Sequence, residues 1–206
     1  MAGQREFYYR RLHSLLGVVP IGVFLIQHLT VNYFSVYGRE NFNRAAEFMA
    51  NLPFRYFLEI FVIFLPILFH AILGVYIVFV SKNNVKRYGF FRNWMFYLQR
   101  ITGVITLIFI AWHVWETRIA IGLGRAELDY SLMETILSEP FIFWFYLIGV
   151  LSTTFHFANG LWSFLVSWGI TITPRSQVIA TYVTLIVFVA VSYMGVRVLF
   201  QFASGS

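Results

Sequence analysis

Five histidines occur among the 206 residues, and four of them, His28, His70, His113 and His156, each lie inside a separate apolar segment. An ionisable ring in hydrocarbon is costly, so each such imidazole calls for a polar partner, a proton-transfer task or a cofactor. The run ITGVITLIFIAWHVWETR, residues 101–118, shows the pattern most clearly, with His113 set deep in it and Glu116 and Arg118 at its end. A polar link between helices explains one buried histidine. Four, one per segment, ask for a common cause, and iron ligation is the chemistry that uses imidazoles in pairs. The chain has no cysteine, which excludes disulfides, iron–sulfur ligation, thiolate haem ligands and covalent C-x-x-C-H haem attachment. Any haem would be held non-covalently through histidine or methionine.

The elements that position these histidines are spans. The chain is 59% hydrophobic and 12% charged, against about 25% charged in soluble domains. Its apolar residues form long blocks, each near the roughly 20 residues that cross a bilayer. Five spans are expected, at about 12–32, 57–80, 98–120, 141–168 and 178–200, in a single all-α transmembrane domain over 1–206. Spans 1–4 would form an up-down four-helix bundle around two stacked haems, with the fifth peripheral. The basic head MAGQREFYYRR does not read as a signal peptide or a twin-arginine signal, because the apolar run after it is too long and no A-x-A site follows. Between the spans lie a polar connection, with a short surface helix expected over residues 43–49, a basic loop SKNNVKRYGFFRN, an acidic loop RAELDYSLMETILSEP and a turn TITPRSQ. The tail QFASGS is expected to be unstructured on composition. Aromatics make up 20% of the chain, suiting both lipid-facing surfaces and porphyrin walls.

Positive charge sets the expected orientation. One side would carry Arg5, Arg10, Arg11, Lys82, Lys86, Arg87, Arg92, Arg100 and Arg175 against Glu6 alone. The other would carry six arginines against eight acids. The N-terminus is therefore expected in the cytoplasm and the C-terminus outside, with a basic inner face able to dock soluble partners. No nucleic-acid partner is implied.

Counting at about 1.5 Å per residue places His28 and His113 toward the outer leaflet and His70 and His156 at or below the middle. Sequential neighbours in an up-down bundle are adjacent, so spans 1 and 3 are diagonal, as are spans 2 and 4. The expected pairs are His28 with His113 around an outer haem and His70 with His156 around an inner one. Eleven residues return to nearly the same helix face about 16 Å away. Gly17 lies eleven before His28, and Thr102, beside Gly103, eleven before His113; Gly74, Gly149 and Gly160 also fall on the histidine faces, leaving room for a macrocycle. Glu59 lies eleven before His70, which would put a carboxyl on the haem-facing stripe. Glu59, Arg55, Glu116 and Arg118 are candidates for handling protons or quinone oxygens near the outer haem. His13, beside Arg10 and Arg11, reads as an interfacial residue near a haem propionate and not as an iron ligand.

Six-coordinate iron with two histidines transfers electrons and leaves no site for oxygen. Such a path needs partners at its ends, and the chain has no flavin, nucleotide or iron–sulfur motif. The segments REFYYRRLHSLLGVVPIGVFLIQH, LPFRYFLEIFVIFLPILFHAILGVY and RNWMFYLQRITGVITLIFIAWHVWETR resemble the di-haem cytochrome b membrane-anchor subunits of Bacillus-type succinate:menaquinone oxidoreductases, and the similarity covers nearly the whole chain. That resemblance implies two haem b groups on His28, His70, His113 and His156. It also implies a flavoprotein and an iron–sulfur subunit on the cytoplasmic face, menaquinone near the outer face, and no dehydrogenase active site in this chain. Other readings share the four histidines: a subunit working in the fumarate-reductase direction, the cytochrome b of a hydrogenase or formate dehydrogenase, or a ferrireductase. A haem-free proton-coupled transporter is the reading of a different class.

Overall fold

The computed structural model describes residues 2–82 and 84–205. Seven helices order these residues: α1 (Gln4–Tyr37), α2 (Arg39–Ala50), α3 (Arg55–Val80), α4 (Phe91–Gly122), α5 (Tyr130–Leu137), α6 (Pro140–Ser167) and α7 (Pro174–Ser204). Five of them, α1, α3, α4, α6 and α7, are long and apolar enough to cross a membrane. Even the shortest, α3 with 26 residues, exceeds the roughly 20 that a hydrocarbon core of about 30 Å demands. Each span is longer than its apolar run because polar residues continue the helix beyond the lipid. The basic head is an example: it is helical, with Arg10 paired to Glu6 at 2.8 Å one turn away.

Local chemistry sets the ends and the bends. Pro140 and Pro174 each stand in the first turn of a helix, where the missing N–H costs nothing. Thr173 and Ser176 form a reciprocal capping box at the start of α7. Pro20 interrupts α1, since it cannot donate to the preceding turn. In α3 the residues Leu58–Phe64, just before Pro66, widen into a π-helical stretch. A second π-helical stretch, Trp115–Ile119, follows His113 in α4.

α1 packs against α3 and α6, and α4 packs against α6 and α3. The diagonals of the square are thus α1 with α4 and α3 with α6. α7 lies outside it, in the groove between α6 and the second half of α1. The arrangement is the all-α bundle with a peripheral fifth span.

One end of the bundle, here the capped end, carries α2 and α5; the other, the basic end, carries the N-terminus and the loop before α4. The short helix expected over residues 43–49 is longer, and it buries Phe42 and Ala46. The acidic loop contains α5, capped by the Asp129 carboxylate accepting from the Leu132 N–H at 3.1 Å. The tail departs from expectation: α7 continues to Ser204, and Phe202 is 0% exposed. The Phe202 ring packs edge-on against Phe42 at 5.1 Å and against Tyr130 at 4.7 Å, and the Tyr130 hydroxyl donates to the Gln201 carbonyl at 3.0 Å. Burial by residues distant in sequence overrides a composition that reads as disordered.

Candidate functional site

Imidazoles meet at two levels. Toward the capped end, His28 of α1 and His113 of α4 have ring centroids 5.8 Å apart at 73°. Toward the basic end, His70 of α3 and His156 of α6 have centroids 6.2 Å apart at 89°. Each pair joins diagonal helices, as the depth count expects. An imidazole nitrogen binds a metal at about 2.0–2.1 Å. Two rings on opposite sides of one metal therefore set their centroids about 6 Å apart, and both pairs are at that distance. Among the described residues no three or more His, Cys, Asp or Glu gather as a bare metal ion would need, so rings in twos suit iron whose other ligands come from a macrocycle.

The second nitrogen of three of the four rings strengthens this fit. His70 Nδ1 lies 2.9 Å from the His13 carbonyl oxygen, and His156 Nδ1 lies 3.0 Å from that of Gln99. A carbonyl only accepts, so both rings carry their proton on Nδ1 and keep the Nε2 lone pair free. His113 Nδ1 lies 3.2 Å from the Tyr146 hydroxyl, which donates to Glu116 Oε2 at 3.0 Å. The Tyr146 oxygen therefore accepts from His113, with the same tautomeric result. Metal-binding histidines are oriented in this way. His28 differs, its ring lying against Phe24 at 5.4 Å.

Glycines make room for the inner rings. A Cβ on Gly17 would come within 2.6 Å of the His70 ring, and one on Gly103 within 2.9 Å of the His156 ring. The face that holds His28 thus opens, one level away, onto the other pair. Gly149 has another role: a Cβ there would strike the Phe109 ring at 2.3 Å, so it serves close contact between α6 and α4. Gly74 and Gly160 face His13 and Gln99. The Gln99 amide donates to the His156 carbonyl at 2.9 Å, and Asn159 donates to Gln99 Oε1 at 2.7 Å, locking α4 to α6 beside the inner pair. His13 is more than an interfacial residue. It is half-buried, and its ring stacks on His70 at 3.9 Å.

Three of the four candidate residues at the capped end come together. Arg118 of α4 pairs with Glu59 of α3 at 2.7 Å, and Arg55 approaches the other Glu59 oxygen at 3.4 Å. Between Glu59 and His70 the π-helical stretch breaks the regular eleven-residue return, and the Glu59 carboxylate is engaged by the two arginines. Beside Arg118 a cavity of about 510 Å³ is lined by Phe64, Val114, Ile119, Gly122 and Leu123. Glu116 stands apart, taking hydrogen bonds from Tyr146 and from the Trp112 indole, both at 3.0 Å.

Residues 83–196 match the family described as the succinate dehydrogenase/fumarate reductase transmembrane subunit. The chain is also 64% identical, over 98% of its own length and 100% of the relative's, to the succinate dehydrogenase cytochrome b558 subunit of Bacillus subtilis (strain 168). The chain belongs to this transmembrane-subunit family. As a member it is a multi-pass membrane subunit. Tyr146, Gln99, Asn159 and Trp112 are the site residues that sequence reasoning missed. Gln99 and Asn159 carried a signal, as amides within apolar runs, whereas Tyr146 and Trp112 are lost among many aromatics.

Proposed function

We propose that this chain is the membrane anchor and electron-transfer subunit of a succinate dehydrogenase, holding two haem b groups. The outer haem would lie between His28 and His113 and the inner between His70 and His156. The observation that carries the reading is the meeting of imidazoles from diagonal helices at two levels, three of them with Nδ1 already engaged. The relative's name, a cytochrome b558 subunit of succinate dehydrogenase, points the same way. When bound, each haem supplies a one-electron couple without an open coordination site. The protein's part is to hold each Nε2 toward iron, to fix the tautomer of His70, His113 and His156 through the hydrogen bond at Nδ1, and to exclude water by the helix packing.

The basic end, with its excess of arginine and lysine, is the cytoplasmic face of a bacterial cell membrane in this reading. A flavoprotein and an iron–sulfur subunit would dock there and deliver electrons from succinate to the inner haem. At the capped, outer end menaquinone would receive them, its ring in the apolar cavity beside Arg118. The Arg118 guanidinium would hydrogen-bond a quinone oxygen, and Glu59 and Arg55 would organise the charge and protons around it.

The test is purification of the membrane complex. A pyridine haemochrome assay is expected to give two haem b per copy of this chain, with a flavoprotein and an iron–sulfur protein copurifying. Purified protein without Soret and α bands would overturn the reading in favour of a haem-free function. Haem without those partners would instead direct it to another di-haem complex.

A further inference from the structure

The two levels differ in what stands behind their histidines. At the inner level both Nδ1–H groups end on neutral backbone carbonyls, of His13 and Gln99. At the outer level the bond from His113 continues through the Tyr146 hydroxyl to the Glu116 carboxylate, in two steps of 3.2 and 3.0 Å. Tyr146 is 1% exposed, so the link runs through low-dielectric protein, where charge is felt strongly. The other carboxylate nearby is already compensated: Glu59 is paired with Arg118 and Arg55. Glu116 takes its hydrogen bonds from the uncharged donors of Tyr146 and Trp112.

We propose that Glu116 is a positioning residue for the outer haem, acting through Tyr146 to make His113 a stronger electron donor to iron. A hydrogen bond from the distal nitrogen of a ligating imidazole raises its basicity, and a carboxylate at the far end of the chain polarises both bonds in the same direction. A more basic ligand favours the oxidised iron, so removing the charge is expected to raise the reduction potential of the outer haem and leave the inner one unmoved. The inference rests on the assignment of His113 to a haem.

The experiment is an optical redox titration of the whole purified complex. Glu116→Gln and Tyr146→Phe are each expected to favour reduction of the same haem by about tenfold, about 59 mV for a one-electron couple. That haem is the one lost in His28→Ala. Glu116→Gln with Tyr146→Phe is expected to shift no further than Tyr146→Phe alone, and Glu116→Asp, which keeps the charge, to stay near the unaltered protein. Unmoved midpoints in both single variants, an equal shift of both haems, or additive shifts in the double variant would each overturn the proposal. If Glu116→Gln fails to assemble, an unmoved midpoint in Tyr146→Phe overturns it alone. Absence of two haem signals from the unaltered complex would overturn the haem assignment itself.

Discussion

Gly17 and Gly103 are the positions at which the inner level is most sensitive to a single added carbon, because a Cβ at either would fall closer than van der Waals contact to an imidazole. Gly17→Val and Gly103→Val would push His70 or His156 away from the bundle axis. Each is expected to lower the haem content from two to one per chain, with the same spectral species lost, as read by pyridine haemochrome and low-temperature absorption. Loss of different species from the two variants would contradict a shared inner site. The histidines were legible in the sequence because each is the lone ionisable group in the middle of its span, and the rise per residue converts position directly into depth. The partners of their Nδ1 atoms were not. Two are backbone carbonyls, which carry no sequence signature, and the third is one tyrosine among 12.

At the scale of the elements, apolar run length and proline position announced the five spans, since bilayer thickness imposes them. The capped end was harder to read, because its order comes from contacts across the chain and not from local composition. Phe202 illustrates this: a residue in a Ser- and Gly-rich tail fills the space between α2 and α5. Phe202→Ala is expected to cost about 3–5 kcal/mol through the cavity it leaves, seen as a lower thermal unfolding midpoint of the purified complex with haem content intact before heating. An unchanged midpoint would show that the capped end is not a cooperative part of the fold. The π-helical stretches were also invisible to a count at 3.6 residues per turn. Both lie at the capped end and carry Glu59, Glu116 and Arg118, in keeping with the tendency of such wide turns to mark functional sites.

For the whole molecule the asymmetry of charge makes a topological prediction. The chain has no native cysteine, so single replacements report cleanly. In intact cells a membrane-impermeant thiol reagent is expected to label Glu127→Cys and not Arg5→Cys; the reverse pattern would invert the orientation. With that orientation, and with the proposed transfer from succinate to quinone, electrons would travel outward, from the negative to the positive side of the membrane. The potential assists them by about 2.3 kcal/mol per charge per 100 mV. Uncouplers are therefore expected to slow succinate oxidation in intact cells, and unchanged respiration after uncoupling would count against outward transfer.

Pairing on the diagonals is the claim on which function depends, and absorption spectra of four single-histidine variants of the assembled complex test it directly. His28→Ala and His113→Ala are expected to abolish one haem species, and His70→Ala and His156→Ala the other. If His28→Ala and His70→Ala removed the same species, the two-level arrangement would be contradicted.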